Sequence, residues 1–120
     1  MKPPMPGLRI LIVEDEPLIA MMLEDFVDAL DHQVAGLADC IAAAMPLVEA
    51  GAFDAAILDV NLRGGEHCWP VADALRAAGK PFLLASGGNA DGAPEVHRAA
   101  PMLAKPYTMD GVRAALDALI

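Results

Sequence analysis

Phe53-Asp54-Ala55-Ala56-Ile57-Leu58-Asp59 is the stretch whose reading decides the fold. A mostly apolar run ends in a carboxylate, and Asn61, Gly64 and Gly65 follow in an irregular stretch. The run lacks the polar alternation of a half-exposed strand, so it reads as a strand buried on both faces, the kind that fills parallel sheets. Asp59 then stands at the edge of a sheet. Taken alone it is a turn residue or the cap of the next helix. Its meaning depends on what else meets it there.

Toward the N-terminus, Leu8 to Val13 is a second run of the same kind and ends in Glu14, Asp15 and Glu16. Pro17 fits the first turn of a helix, where its missing N–H costs little. Ile19, Leu23, Phe26, Val27 and Leu30 form one stripe of that helix, opposite Glu24, Asp28 and Asp31. Gln33 to Leu37 is a short strand. Asp39 is expected to cap a helix that runs to about Ala50 and ends at Gly51, with Pro46 kinking or shortening it. Toward the C-terminus, Val60 to Trp69 is a long connection, and long connections tend to be functional. Pro70 opens a helix that Gly79 closes, with Val71, Leu75 and Ala78 inward. Pro81 to Ala85 is a strand ending at Ser86-Gly87-Gly88-Asn89. A helix between Asp91 and Ala99 is weakened by Gly92 and Pro94, and mobility is expected there. Met102 to Ala104 is a short strand ending at Lys105-Pro106. Thr108 caps a last helix with Val112, Ala115, Leu116 and Leu119 inward.

Strand and helix therefore alternate five times. Parallel strands need crossovers, and the crossovers are right-handed, so helices cover both faces. The expected fold is α/β: a flavodoxin-like, doubly wound (βα)5 unit with strand order 2-1-3-4-5. Residues 1–7, rich in proline, read as a flexible leader. Residues 8–120 read as one domain with no output domain. Ligand sites in such sheets lie beyond the carboxyl ends of the strands, at the switch point between the first and third.

That rule gathers the polar strand ends into one place. The first strand delivers Glu14 and Asp15, the third Asp59, the fourth Ser86 and the fifth Lys105. A solvated turn explains one or two of the acids but not the third on the neighbouring strand. Three clustered carboxylates repel one another, and a divalent cation resolves the repulsion. All-oxygen ligation with several waters suits Mg²⁺, and the backbone carbonyl of Asn61 can add to it. Lys105 alone is a surface lysine and Ser86 alone a helix cap. With a metal they describe phosphoryl transfer to a carboxylate, with Asp59 as nucleophile, Lys105 neutralising the phosphoryl oxygens and the Ser86 hydroxyl donating to one of them.

The chain resembles the response regulator receiver domain of two-component signalling. The resemblance rests on Leu11-Ile12-Val13-Glu14-Asp15-Glu16, Ile57-Leu58-Asp59-Val60-Asn61, Ala85-Ser86 and Lys105-Pro106-Tyr107, in order and each at a strand end. It implies that Asp59 accepts a phosphoryl group from a histidine kinase or histidine phosphotransfer protein. It implies Mg²⁺ bound by Asp15, Asp59 and the Asn61 backbone, with Glu14 acting through water, and a cis bond before Pro106. Pro81-Phe82 with Ala85-Ser86-Gly87-Gly88 is similar to stand-alone receivers of the alphaproteobacterial Phe-Ala-Thr-Gly-Gly-Tyr subgroup, with Leu84, Ser86 and Asn89 as replacements. The family's aromatic switch position, three before the lysine, holds Met102, and the subgroup's alternative aromatic position holds Asn89. Tyr107 and Trp69 read as packing or interface residues. The family's usual contact surface, for a downstream protein that the sequence does not identify, is the face of the fifth strand and its flanking helices.

Composition is consistent with this. The chain has 120 residues, enough for one domain. Its net charge of −9 argues against a nucleic-acid partner, which requires a basic face. Cys40 and Cys68 lack metal-ligand spacing, and a reduced cytoplasmic protein is expected. No signal peptide and no membrane-length apolar run are present in the sequence. His32, His67 and His97 share no ligand spacing. Competing readings are weaker. An aspartate-nucleophile phosphohydrolase of the haloacid-dehalogenase type needs an acid two residues after the nucleophile, where Asn61 stands. A flavin protein needs a phosphate-cradling loop where this chain has three acids. A phosphorylation-independent binding module leaves the acid, serine and lysine set without a purpose.

Overall fold

The computed structural model describes residues 7–62, 66–86, 102–104 and 107–119, with the backbone alone for Ser86 and Ala104. Among the described residues nine elements follow in order: β1 (Arg9–Val13), α1 (Pro17–Ala29), β2 (Gln33–Ala38), α2 (Ile41–Ala50), β3 (Ala55–Asp59), α3 (Trp69–Ala77), β4 (Phe82–Ser86), β5 (Met102–Ala104) and α4 (Met109–Leu119). The five strands form one sheet in the order β2-β1-β3-β4-β5, and all four pairings are parallel. The helix expected between Asp91 and Ala99 lies outside the described residues, as do Lys105, the bond before Pro106, and Asn89.

Strand periodicity divides the core in two. Ile10, Ile12, Ala55, Ile57, Leu83 and Ala85 pack with Leu23 and Val27 of α1 and Val112 and Leu116 of α4. Leu11, Val13, Ala56, Leu58 and Leu84 pack with Ala44 and Val48 of α2 and Val71 and Leu75 of α3. Alternate residues of one strand thus serve opposite layers, which is why the central strands are apolar between their ends. Each fully buried Leu or Ile stabilises the fold by roughly 1.5–3 kcal/mol relative to exposure.

The helix ends follow local chemistry. α1 closes with paired hydrogen bonds from Asp31 N–H to Asp28 O and from His32 N–H to Val27 O, both 3.0 Å. α3 closes in the same way, from Gly79 to Arg76 and from Lys80 to Leu75. Both are Schellman closures, and both need a left-handed residue at the turn. Gly79 fills that place in α3 at φ 72°, and Asp31 fills it in α1 at φ 66°. Thr108 caps α4 as expected, its Oγ1 accepting the Gly111 N–H at 3.0 Å.

Three expectations are corrected. The cap position of α2 is Cys40, not Asp39, and no side chain of that residue caps it. Instead Glu66 Oε1, from the loop after β3, faces the Ile41 N–H at 3.5 Å. Pro46 does not shorten α2, which runs on to Ala50, because packing of Ala44 and Val48 outweighs one missing hydrogen bond. Ala78 is exposed, and Ala72 takes the inward place, because α3 ends one residue earlier at Ala77 and Ala78 is already its cap.

Candidate functional site

β1 and β3 are neighbours, with Val13 in register with Leu58. Their next residues therefore emerge side by side at the carboxyl edge. Glu14 is tied there by its N–H to Ala38 O at 2.9 Å, and its carboxylate is 4% exposed. Asp59 is 3% exposed and Asp15 half-buried. One carboxylate oxygen from each of Glu14, Asp15 and Asp59 lies within 4.8 Å of the others. The strand-end rule thus brings together the three acids it gathered from the sequence.

The Asp59 side chain is fixed by the chain that follows it. Its Oδ1 accepts the Asn61 N–H at 3.2 Å, an Asx turn. The loop then folds back on itself. Asn61 bridges to His67, Leu62 N–H donates to Glu66 O at 2.7 Å, and Cys68 N–H donates to Val60 O at 3.0 Å. The long connection is therefore a pinned loop whose first turn carries Asn61. His67 is exposed and stacks on Trp69, ring centroids 6.5 Å apart. It stands beside Asn61 rather than among the acids.

Ser86 ends β4. Ala85 is in register with Asp59 and Ser86 with Ala104, so the Ser86 backbone lies at the same edge. Lys105, the residue after Ala104, falls outside the described residues. The serine and lysine roles therefore remain expectations carried by strand order.

Two side chains near the acids were given no part in the site by the sequence. Tyr107 is 5% exposed, and burial, then the charges of Glu14 and Asp59, then its hydrogen bonding toward Glu14 push its phenol well above the usual range. Cys68 is fully buried, and burial followed by the Asp59 charge pushes its thiol up to about 12. The signal for Tyr107 was present, three residues past the end of the fifth strand. Cys68 carried none, since only the folded loop turns it inward.

Beside the acids a groove of about 380 Å³ opens between α1 and the β2–α2 turn. Ala20, Met21, Leu37 and Ala43 supply apolar lining, and Glu14, Asp15, Glu24 and Asp39 supply acids. Leu18, Met21 and Leu37 are exposed, at 78%, 56% and 46%.

The donor set fits a hard divalent cation. All candidate groups are oxygens, three carboxylates converge, and two of them are nearly sealed from water, so their mutual repulsion is poorly screened. Among the described residues no other group of three potential ligands is found, and no helix is long and apolar enough to cross a membrane.

A five-stranded flavodoxin-like sheet with an acid triad at its switch point is the architecture of a phosphoryl-signalling receiver. Comparison with solved structures agrees. The chain is similar to SdrG from Sphingomonas melonis Fr1, with 56% identity over 96% of this chain and 98% of that one, at a TM-score of 0.85. It is similar to the BeF3-activated conformation of SdrG from Pseudomonas melonis Fr1, with 58% identity over the same shares and a TM-score of 0.81. The PhyR response regulator receiver (REC) domain of Erythrobacter litoralis matches at 28% identity over 94% of this chain and 89% of that one, with a TM-score of 0.80. No protein-family model matches the chain, and no curated protein does. The chain belongs to the response regulator receiver domains.

Proposed function

We propose that this chain is the phosphoacceptor of a two-component phosphorelay, with Asp59 as the acceptor. One observation carries the reading: a 3%-exposed Asp59 at the switch point, with two further carboxylates within 4.8 Å. The BeF3-activated state of SdrG supports it, because beryllofluoride bound to a carboxylate has the shape and charge of a phosphoryl group.

In this reading a phosphohistidine of a histidine kinase or histidine phosphotransfer protein is the donor. An Asp59 carboxylate oxygen attacks phosphorus in line. The O–P bond of an acyl phosphate forms, the N–P bond breaks, and its electron pair stays on the imidazole nitrogen. Asp15, Asp59 and the Asn61 carbonyl would hold Mg²⁺, with Glu14 acting through water. When bound, the ion neutralises charge on the phosphoryl oxygens. The Asn61 N–H fixes the rotation of the Asp59 carboxylate, and burial excludes bulk water from it. Ser86 would donate to one phosphoryl oxygen and Lys105 would pair with another. The apolar groove with its acids, next to Asp59, is the surface where the donor would seat. A downstream protein would be met on the β5 and α4 side, where Met102 is 41% exposed. Asn61 supports this reading over a phosphohydrolase, since an amide cannot protonate a leaving group.

The test is incubation with acetyl phosphate or phosphoramidate and Mg²⁺, read by intact mass. The wild type should gain one phosphoryl group and Asp59→Ala none. Equal behaviour of the two proteins overturns the assignment.

A further inference from the structure

The loop after Asp59 carries two aromatic rings that the phosphoacceptor reading leaves unused. Asn61 and His67 face each other across an antiparallel bridge. The hydrogen bonds that flank it run from Leu62 N–H to Glu66 O and from Cys68 N–H to Val60 O, so the pair itself exchanges none. In such a pair the two side chains stand on one face and approach most closely. Asn61 in turn donates its N–H to Asp59 Oδ1. The backbone thus sets His67 on the same rim as Asn61, next to the acceptor. Trp69 holds the imidazole there: it packs against the apolar layer under α2 and α3, and His67 lies on it with ring centroids 6.5 Å apart and planes 26° from parallel. Asn61 and His67 are exposed, whereas Asp59 is buried. A group that leaves its phosphoryl on Asp59 departs in line, away from the buried carboxylate and out over this rim. The rest of the rim is acidic, with Asp15 in the cluster and exposed Glu66 just before His67. An anionic leaving group is repelled there, and a neutral planar one gains from an aromatic ledge.

We propose that His67, stacked on Trp69, is a specificity-determining residue for the phosphodonor: the ledge receives the planar imidazole of a phosphohistidine as it leaves. The proposal rests on the phosphoacceptor reading above and adds to it the choice of leaving group. The Asp59 O–P bond forms, the N–P bond breaks, and the electron pair stays on the departing imidazole nitrogen. His67 gives and takes no proton in this step; it offers only its ring.

The test compares two small donors in the presence of Mg²⁺, phosphoimidazole and acetyl phosphate, by initial rates of phosphorylation read as intact mass. The proteins are wild type, His67→Ala and His67→Phe. His67 is exposed, and the bonds that flank its bridge are backbone bonds, so both variants keep the loop. In His67→Ala the ratio of the phosphoimidazole rate to the acetyl phosphate rate should fall about fivefold, the effect of one aromatic pair. His67→Phe keeps a ring and should return the ratio close to the wild-type value. An unchanged ratio in His67→Ala, or a fall that His67→Phe does not reverse, overturns the proposal alone. A wild type that neither donor phosphorylates overturns it together with the phosphoacceptor reading.

Discussion

Replacing Asp59 by Asn should make the metal-free protein more stable. Coulomb's law gives about 3.5 kcal/mol for two unit charges 4.8 Å apart at an effective dielectric of about 20. Asp59 faces two such charges, so the gross repulsion relieved is about 7 kcal/mol. Asp15 is half-exposed, and water screens its share. The native chain also relaxes around three charges, so the net gain expected is about 1–3 kcal/mol. For a chain of this size that is a rise in melting temperature of about 4–12 °C. Asparagine is the right replacement because its side-chain oxygen still accepts the Asn61 N–H, leaving the Asx turn intact. The assay is thermal unfolding by circular dichroism in EDTA, then in saturating Mg²⁺. The metal should stabilise the wild type by about 2.7 kcal/mol at a hundredfold excess over Kd and the variant far less, closing the gap. A variant that melts at or below the wild type in EDTA would refute the reasoning, since the acids would then not be held against their own repulsion.

Three further outcomes follow from the same structure. Asp31→Gly should stabilise by about 0.5–1 kcal/mol in chemical denaturation, because glycine takes the left-handed position that closes α1 at less cost, as Gly79 does in α3. Iodoacetamide should label the native protein once, at half-buried Cys40, and reach Cys68 only after unfolding, since burial pushes that thiol up to about 12; two rapid native additions would contradict this. The Arg9 backbone N–H, and then its side chain, hold the Asp54 carboxyl below its ordinary 3.8. The resulting small stabilisation is present above 3.8 and is lost as pH falls through the lower folded value. Asp54→Asn should therefore cost a little stability at neutral pH and nothing in strong acid, as followed by urea midpoints across pH.

Much of this was legible in the sequence because it depends on period and strand ends. Leu8 to Val13 and Phe53 to Leu58 are mostly apolar and do not alternate, the composition of a strand covered by helices on both faces. Once those strands were taken as neighbours, Glu14, Asp15 and Asp59 had to meet at one edge. The misses are local. Asp39 was read as a cap from residue type, but the chain turns one residue later, at Cys40, and Glu66 from a distant loop faces the helix end instead. Pro46 was weighed by its lost hydrogen bond, without the packing that offsets it.

The sequence by itself determined the order of elements, the two-sided burial of the sheet and the identity of the acids, since these follow from chain periodicity and the right-handed crossover. Only the tertiary structure decided how tightly the acids are held, that Asn61 fixes Asp59, and that Tyr107 and Cys68 lie beside them. The physical reason is that burial and proximity between distant segments are properties of the packed layers. A phenol three residues past a strand reads as filler until the packed layers close over it and bury it in the same core that carries the central strands.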